Sequence, residues 1–145
     1  MNKLNISFIS VIFLALTLPG CGMQSIPTAL NEVEAAWSEV LNQYKRRSDL
    51  IPNLVNIVKG YASHEKETLQ AVVEARAKAT QTNVAPSQLT PKSMNQFSQA
   101  QAGLGSALSR LMVVVERYPD LKANENFRDL QVQLEGTENR ITVAR

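Results

Sequence analysis

The sequence predicts an all-α protein, an antiparallel up-and-down bundle of four long helices preceded by an N-terminal signal or anchor segment. Two observations predict this class. Apolar residues recur at intervals of three and four along most of the chain, which is the spacing of a helix with one buried face. Strand-like alternation is essentially absent, and the connections between the periodic segments are mostly short, as in antiparallel bundles.

The N-terminal segment, residues 1–20, has the pattern of a bacterial lipoprotein signal peptide. Lys3 precedes an apolar run at 6–18 that is shorter than the ~20 residues needed to cross a bilayer. The run leads into LPGC, which ends at Cys21 and resembles a lipobox. The resemblance implies diacylglycerol transfer to the Cys21 thiol, cleavage before Cys21 and acylation of the new amino group. The alternative is an uncleaved anchor in which Cys21 is incidental.

The rest of the chain divides into a lipidated tether, residues 21–28, and a helical domain, residues 29–145. Lys3 is the only one of the 15 basic residues that precedes Cys21, so 14 basic and 13 acidic residues remain. These charges are interspersed, which argues against a nucleic-acid partner. Cys21 is the only cysteine, so once it is acylated no disulfide can form and the domain depends on its apolar core.

The first two predicted helices meet at KRRSDLIPNLV, residues 45–55. Proline is tolerated in the first turn of a helix, and Ser48 and Asp49 are good N-caps. We therefore expect one helix to end near 44–47 and the next to run from about Asp49 to about Gln81. A kinked continuous helix is the alternative, because the apolar stripe stays in phase across Pro52. The stripe comprises Leu30, Val33, Trp37, Val40, Tyr44, Ile51, Leu54, Val58, Tyr61, Leu69 and Val72.

A proline-containing loop at 82–90 precedes the third helix, in which we expect Thr90 to be the cap and Pro91 the first residue. Gly103 and Gly105 flank its stripe and indicate a close helix approach. YPDLKAN, residues 118–124, is expected to end it, and the fourth helix, without a stop signal, is interpreted as incomplete at residue 145. The two stripes are Met94, Phe97, Gln101, Leu104, Leu108, Leu111, Val115 and Tyr118, with Gln101 the sole polar member, and Phe127, Leu130, Leu134 and Ile141.

Two long stretches carry a family resemblance. Residues 36–79, AWSEVLNQYKRRSDLIPNLVNIVKGYASHEKETLQAVVEARAKA, and residues 117–145, RYPDLKANENFRDLQVQLEGTENRITVAR, are similar to the two signature regions of the LemA family. The resemblance implies an all-helical up-and-down bundle on a membrane anchor, with no assigned reaction. Many members have an uncleaved transmembrane helix where this chain has its lipobox-like signal, and members usually continue the last helix past the position of Arg145.

The candidate site is a polar junction formed by Arg46, Arg47, Asp49 and Asn53. Arg47 falls in the apolar stripe, and a buried arginine needs a partner, which Asp49 or a carboxylate on another helix would supply. One interpretation is a structural staple at a helix junction, since an unpaired buried charge is costly. The other is a recognition point for a partner at the end of the bundle.

No set of residues predicts catalysis, a metal site or a cofactor. His64 is the only histidine, we expect it to be an exposed helix residue, and HEKET lacks the second histidine of a zincin helix. A nucleophilic serine needs a nearby base, and without histidine partners the serines have little to activate them. Convergence of acidic side chains would be required for carboxylate chemistry, although charged helix faces are usually only solvated; those residues are Glu65, Glu67, Glu74, Asp120 and Glu125.

We therefore expect a non-enzymatic, membrane-anchored scaffold or protein-interaction module of the bacterial cell envelope. The expected partners are the lipid bilayer, through acylated Cys21, and an unidentified protein or a second copy of the chain. The alternative is a ligand-binding or signalling domain that uses a cavity between the helices. Gly22 lacks the acidic character of an inner-membrane retention signal, so we expect the outer membrane or its periplasmic face if the host has one.

Overall fold

The computed structural model describes residues 25–144, and all regular structure in that range is helical. Residues 25–144 form five α-helices, four of them long, and the predicted all-α class is confirmed. The predicted signal peptide and Cys21 lie outside the described residues. The helices are α1, Ser25–Tyr61; α2, Lys66–Gln81; α3, Pro91–Val115; α4, Pro119–Ala123; and α5, Glu125–Ala144, with a short 3-10 helix at Pro86–Gln88 before α3.

Helix α1 is continuous through Pro52, so the predicted boundary between residue 44 and Asp49 is wrong and the continuity expected under the alternative is confirmed. A proline at position 52 cannot donate to the Ser48 carbonyl, which is four residues earlier. Arg76 of α2 replaces the missing donor: its Nε donates to the Ser48 carbonyl oxygen at 2.8 Å. A tertiary hydrogen bond therefore compensates for the proline, and sequence-local rules do not include it.

The second correction concerns the helix predicted to reach Gln81 without interruption. The chain leaves α1 after Tyr61 and turns before α2 begins at Lys66. In this turn the Glu65 N–H donates to the Ala62 carbonyl, and the exposed His64 lies in the turn rather than in a helix. The segment SHEK, residues 63–66, has no apolar residue to continue the stripe, so nothing there favours a buried helical face.

The predicted start of α3 is confirmed in detail. The Thr90 hydroxyl accepts a hydrogen bond from the Ser93 N–H at 3.1 Å, and the Ser93 hydroxyl accepts one from the Thr90 N–H at 2.9 Å. This reciprocal pair is a capping box, and Pro91 occupies the first helical position. Local sequence rules determine this boundary because every partner lies within one turn.

The end of α3 differs from the prediction in that YPDLKAN forms a short helix of its own. Tyr118, expected as the last stripe residue of α3, is the N-cap of α4, and Leu121 of α4 is completely buried. Asn124 then caps α5, because its side-chain oxygen accepts the Phe127 N–H at 2.9 Å. The segment ends one helix, as expected, and also supplies a core residue.

The expectation of a close helix approach at Gly103 and Gly105 is wrong. A Cβ atom built on either residue would meet no neighbouring atom within 4 Å. Four residues assigned to the apolar stripes are likewise exposed, because periodicity reports the phase of a helix and not the presence of a partner on that face. These are Leu30, Val33, Tyr61 and Met94.

The buried apolar side chains form two clusters. The larger one contains Leu54, Val72, Leu111 and Phe127, contributed by α1, α2, α3 and α5 respectively. The smaller one is built around Phe97, whose ring makes edge contacts with Trp37 and Tyr44 at centroid distances of 5.4 and 5.0 Å. The Trp37 indole donates to the Val84 carbonyl at 2.8 Å, which joins the α2–α3 connection to α1. The smaller cluster comprises Trp37, Val40, Tyr44, Val84, Phe97 and Ile141.

Candidate functional site

The main polar feature of the described chain is the cluster around Arg47, which is 4% exposed. Its Nη1 donates to the Glu138 carboxylate of α5 at 2.6 Å, and its Nη2 donates to the side-chain oxygen of Gln101 in α3 at 2.9 Å. A third bond runs from Nη2 to the Gln101 backbone carbonyl at 3.2 Å. The guanidinium also lies 5.3 Å from the centroid of the Tyr44 ring. One side chain of α1 therefore bonds both α3 and α5.

Gln101 extends the cluster to α2. Its side-chain nitrogen donates to the Ala79 carbonyl at 3.4 Å, near the C-terminus of α2, where helix carbonyls lack internal donors. Ser48 and Thr80 add a hydroxyl–hydroxyl bond of 3.1 Å between α1 and α2. We call the set Arg47, Gln101, Glu138, Ser48 and Thr80 the arginine cluster, and it links all four long helices.

The arginine cluster is almost completely satisfied. Two buried side-chain atoms among the described residues have no hydrogen-bond partner: Nε of Arg47 and Oε1 of Gln43, four residues before it on α1. Such buried atoms are uncommon in folded proteins. Both terminal nitrogens of Arg47 bond groups of other helices, which is the arrangement expected of a structural staple.

The four residues that the sequence places at this junction do not come together. Asp49 is exposed and pairs with Lys45 at 2.9 Å, one turn away on α1, and not with Arg47. Arg46 is exposed, and Asn53 lies beside a shallow groove with Asp129 and Gln133 of α5. Of the predicted set, only Arg47 belongs to the arginine cluster, and its carboxylate partner is on another helix.

Two of the residues that bond Arg47, Gln101 and Glu138, are marked in the sequence as polar positions within apolar stripes. Gln101 was recognised as the one polar residue in the α3 stripe, and that position is where Arg47 binds. Glu138 lies four residues after Leu134 and three before Ile141, in phase with the α5 stripe, so it marks a polar interruption there. Arg76 left no signal, because its role depends on the position of Pro52 in another helix.

Two grooves adjoin the arginine cluster. One has a volume of about 360 Å³, lies between α1, the C-terminal end of α2 and α3, and reaches Tyr44, Phe97 and Gln101. Its rim is polar and includes Asn42 and Lys45. The other groove, about 330 Å³, lies between α3 and α5; the residues lining it are Arg47, Gly105, Leu108, Ser109, Met112, Gln131, Leu134, Glu135 and Glu138.

A second polar contact joins the α1–α2 turn to the end of α3. The Glu65 carboxylate accepts hydrogen bonds from Arg117 at 2.9 Å and from the Tyr118 hydroxyl at 3.1 Å. The bond to Glu65 raises the pKa of Tyr118 above its ordinary value of 10.0; desolvation and repulsion by the Glu65 charge act in the same direction, while Arg117 opposes them. Nearby, Asn124 donates to the Tyr61 hydroxyl at 3.0 Å.

Neither polar region has the composition of a metal site. In the range 25–144, no three His, Cys, Asp or Glu side chains form a group that could hold a metal ion.

No helix between residues 25 and 144 is sufficiently long and apolar to span a membrane.

The fold and the arginine cluster together define a class: an all-helical protein in which a buried arginine bonds helices that are distant in sequence. Within this class the chain belongs to the LemA family, whose model matches residues 36–145. The matched range includes the arginine cluster and all of α2 to α5. No curated protein matches the sequence.

Proposed function

We propose that this LemA-family chain is a membrane-anchored interaction module of the bacterial cell envelope, without catalytic activity of its own. In this proposal the four long helices pack as an antiparallel up-and-down bundle. Acylated Cys21 holds that bundle on the exported side of a membrane, at the outer membrane if the host has one. The exposed helix faces bind a protein partner.

The observation that carries the proposal is the internal use of the arginine cluster. A catalytic or ligand site presents polar groups to its substrate, whereas Arg47 directs its two terminal nitrogens at Gln101 and Glu138. Most of the buried polar chemistry therefore joins helices. What remains available to a partner is the outer surface and the grooves.

The anchor is supported by the sequence alone. LPGC follows directly on an apolar run of signal-peptide length, and its cysteine is the only one in the chain. Two or three acyl chains, at about 0.8 kcal/mol per buried methylene, hold a protein durably on a bilayer.

Fatty-acid labelling of the full-length chain tests the anchor. We expect labelled fatty acid to be incorporated into the wild type, and both the label and membrane retention to be lost in Cys21→Ala. Gln24→Ala is the matched control, because it changes the same segment and leaves the thiol in place. A wild type that takes no label yet stays with the membrane would contradict lipidation and indicate an uncleaved anchor at 6–18.

The α1–α2–α3 groove supports a second candidate, a ligand-binding or signalling domain. The groove combines aromatic side chains, Tyr44 and Phe97, with a polar rim, which is the usual composition of small-molecule sites. A ligand that binds only the native state raises the melting temperature. We expect such a shift to disappear in Asn42→Trp, which fills the groove, and to persist in Asn53→Trp on the separate α1–α5 groove. Absence of any shift across a broad compound set would contradict this candidate.

A further inference from the structure

The outer face of α5 carries an exposed apolar residue beside the α3–α5 groove. Val132 is 67% exposed and lies between two groove residues, directly after Gln131 and three residues before Glu135. On α3, Val113 is 71% exposed and directly follows the groove residue Met112. Val132 lies one turn before the groove residue Glu135 on α5, and Val113 lies one turn after the groove residue Ser109 on α3, so each valine is on the outer side of its helix next to the groove.

Charges of opposite sign flank Val132 on its own helix. Arg128 precedes it by four residues and Glu135 follows it by three, so each lies about one turn away on the same side of α5. Both side chains are exposed, and neither takes part in an ion pair within residues 25–144. Glu135 accepts only a hydrogen bond from Gln131, at 3.1 Å.

Along α5 a positive charge, a valine and a negative charge follow one another at Arg128, Val132 and Glu135. In an antiparallel second copy the order is reversed, so opposite charges face each other across the two valines. If a second α5 crosses the first in the antiparallel direction with Val132 at the crossing point, Arg128 of each copy faces Glu135 of the other. Rotation by 180° about an axis through that point produces both ion pairs at once, which is the property of a twofold interface. Like charges would meet if the two helices were parallel and in register.

We propose that this face is a homodimer interface, with the twofold axis crossing α5 at Val132. The occupant of the face is therefore a second copy of the chain, identified by charge complementarity. The α3 helix has the same order, Arg110, Val113 and Glu116, but Glu116 is already bonded to Lys122 at 2.6 Å. For this reason the axis is placed on α5.

The two kinds of side chain have separate roles in this interface. Exposed ion pairs contribute about 0–1 kcal/mol each, so Arg128 and Glu135 fix direction and register more than affinity. Affinity comes from burying Val132 of both copies, a side chain that is 67% exposed in the single chain. The inference does not depend on lipidation, because no residue of the face belongs to the N-terminal segment.

Disulfide cross-linking of the full-length chain in detergent micelles tests the axis directly. With Cys21→Ser removing the native thiol, Val132→Cys brings two thiols together at the crossing point, and we expect a disulfide-linked dimer on mild oxidation. Val143→Cys is the matched control: it is 88% exposed and eleven residues further along the same side of α5. The proposed axis separates the two copies of residue 143 by about 33 Å, so no dimer band is expected.

Charge reversal tests the register. In the Val132→Cys background we expect Arg128→Glu and Glu135→Arg each to reduce cross-linking, because like charges then face each other. The double variant restores opposite charges and should restore the dimer. Arg140→Glu, an exposed change on the same helix away from the crossing, should leave cross-linking unchanged, and far-UV circular dichroism of each variant checks that the helices are intact.

Three outcomes would overturn the proposal. Equal cross-linking through residues 132 and 143 would show non-specific association. No cross-linking at residue 132 would show that α5 does not cross itself there. A double charge variant that stays monomeric would contradict the antiparallel register. None of these outcomes bears on fatty-acid labelling of Cys21, so failure here is distinct from failure of the membrane-anchored function.

Discussion

At the scale of single residues, Arg47 differs most from its prediction, because its carboxylate partner is Glu138 and not Asp49. Its position within the stripe predicted burial and its need for a partner, both of which can be deduced from one helix. The structure supplies that partner from α5, 91 residues later in the chain. Sequence periodicity gives the phase of each helix, but it does not specify which faces meet, so Glu138 could not be chosen in advance over Asp49.

Truncation of Arg47 is expected to destabilise the fold. Arg47→Ala leaves Gln101 without its donor and opens space among the helices, and we expect a loss of about 2–3 kcal/mol in the free energy of unfolding. Arg46→Ala is the control: its side chain is exposed, so the change should stay within about 0.5 kcal/mol. Urea unfolding of the two variants measures the difference. Equal stability of both, with loss of partner binding in Arg47→Ala, would instead make Arg47 a recognition residue.

Tyr118 gives a pH-dependent prediction. Its pKa is raised in the folded protein, chiefly by the hydrogen bond to Glu65, so the folded state holds the phenolic proton more tightly than the unfolded state does. The stabilisation is therefore fully present below the unfolded pKa of about 10 and is lost as the pH rises through the folded pKa.

Tyr118→Phe removes both the phenolic proton and the hydrogen bond to Glu65. We expect Tyr118→Phe to be less stable than the wild type at neutral pH. The difference between the urea unfolding midpoints of the two proteins should become smaller above about pH 10. Other titrating groups are common to both proteins and cancel in the comparison. A gap that is constant across this range would show that the Tyr118–Glu65 bond does not contribute to stability.

At the scale of the elements, the bond between Arg76 and the Ser48 carbonyl explains how α1 passes through Pro52. Helix propensity and capping preferences act within a few residues, and by those rules KRRSDLIPNLV contains a boundary. The continuous stripe was the better guide, because burial against other helices outweighs a local preference. A helix boundary that depends on local partners, such as the Thr90 capping box, can be predicted from sequence. The continuity of α1 could not, because it depends on Arg76 of α2.

A double-mutant cycle tests this compensation. Arg76→Ala leaves the Ser48 carbonyl without a donor, and we expect a cost of about 1–2 kcal/mol. In the Pro52→Ala background the N–H of residue 52 reaches the same carbonyl, so Arg76→Ala should cost at least about 0.5 kcal/mol less. The unfolding free energies of the four proteins give the coupling directly. An identical cost in both backgrounds would mean that Arg76 acts elsewhere.

Replacing a glycine of α3 by alanine is expected to stabilise the protein, unlike the substitutions described above. Gly103 and Gly105 have room for a Cβ atom, and glycine inside a helix costs about 0.5–1 kcal/mol relative to alanine. Gly103→Ala and Gly105→Ala should each raise the melting temperature of the chain. A fall in melting temperature with either variant would indicate that another helix packs on that face after all.

At the scale of the whole molecule, the arginine cluster adjoins both apolar clusters. Tyr44 and Phe97 belong to the smaller cluster, and Ile51 and Leu104, each one turn along from Arg47 and Gln101, belong to the larger one. The all-α class and most core residues follow from periodicity, whereas this polar junction does not. We infer that the arginine cluster is structural and makes the two apolar clusters one cooperative unit.

Urea unfolding observed by two probes tests that claim most directly. Trp37 is the only tryptophan and lies in the smaller cluster, so its fluorescence reports that cluster, while far-UV circular dichroism reports all the helices. If the two clusters unfold as one unit, the fluorescence and circular dichroism transitions of the wild type coincide. A Trp37 transition at clearly lower urea than the loss of helix would contradict it, because the two clusters would then unfold independently despite the intact Arg47 bonds.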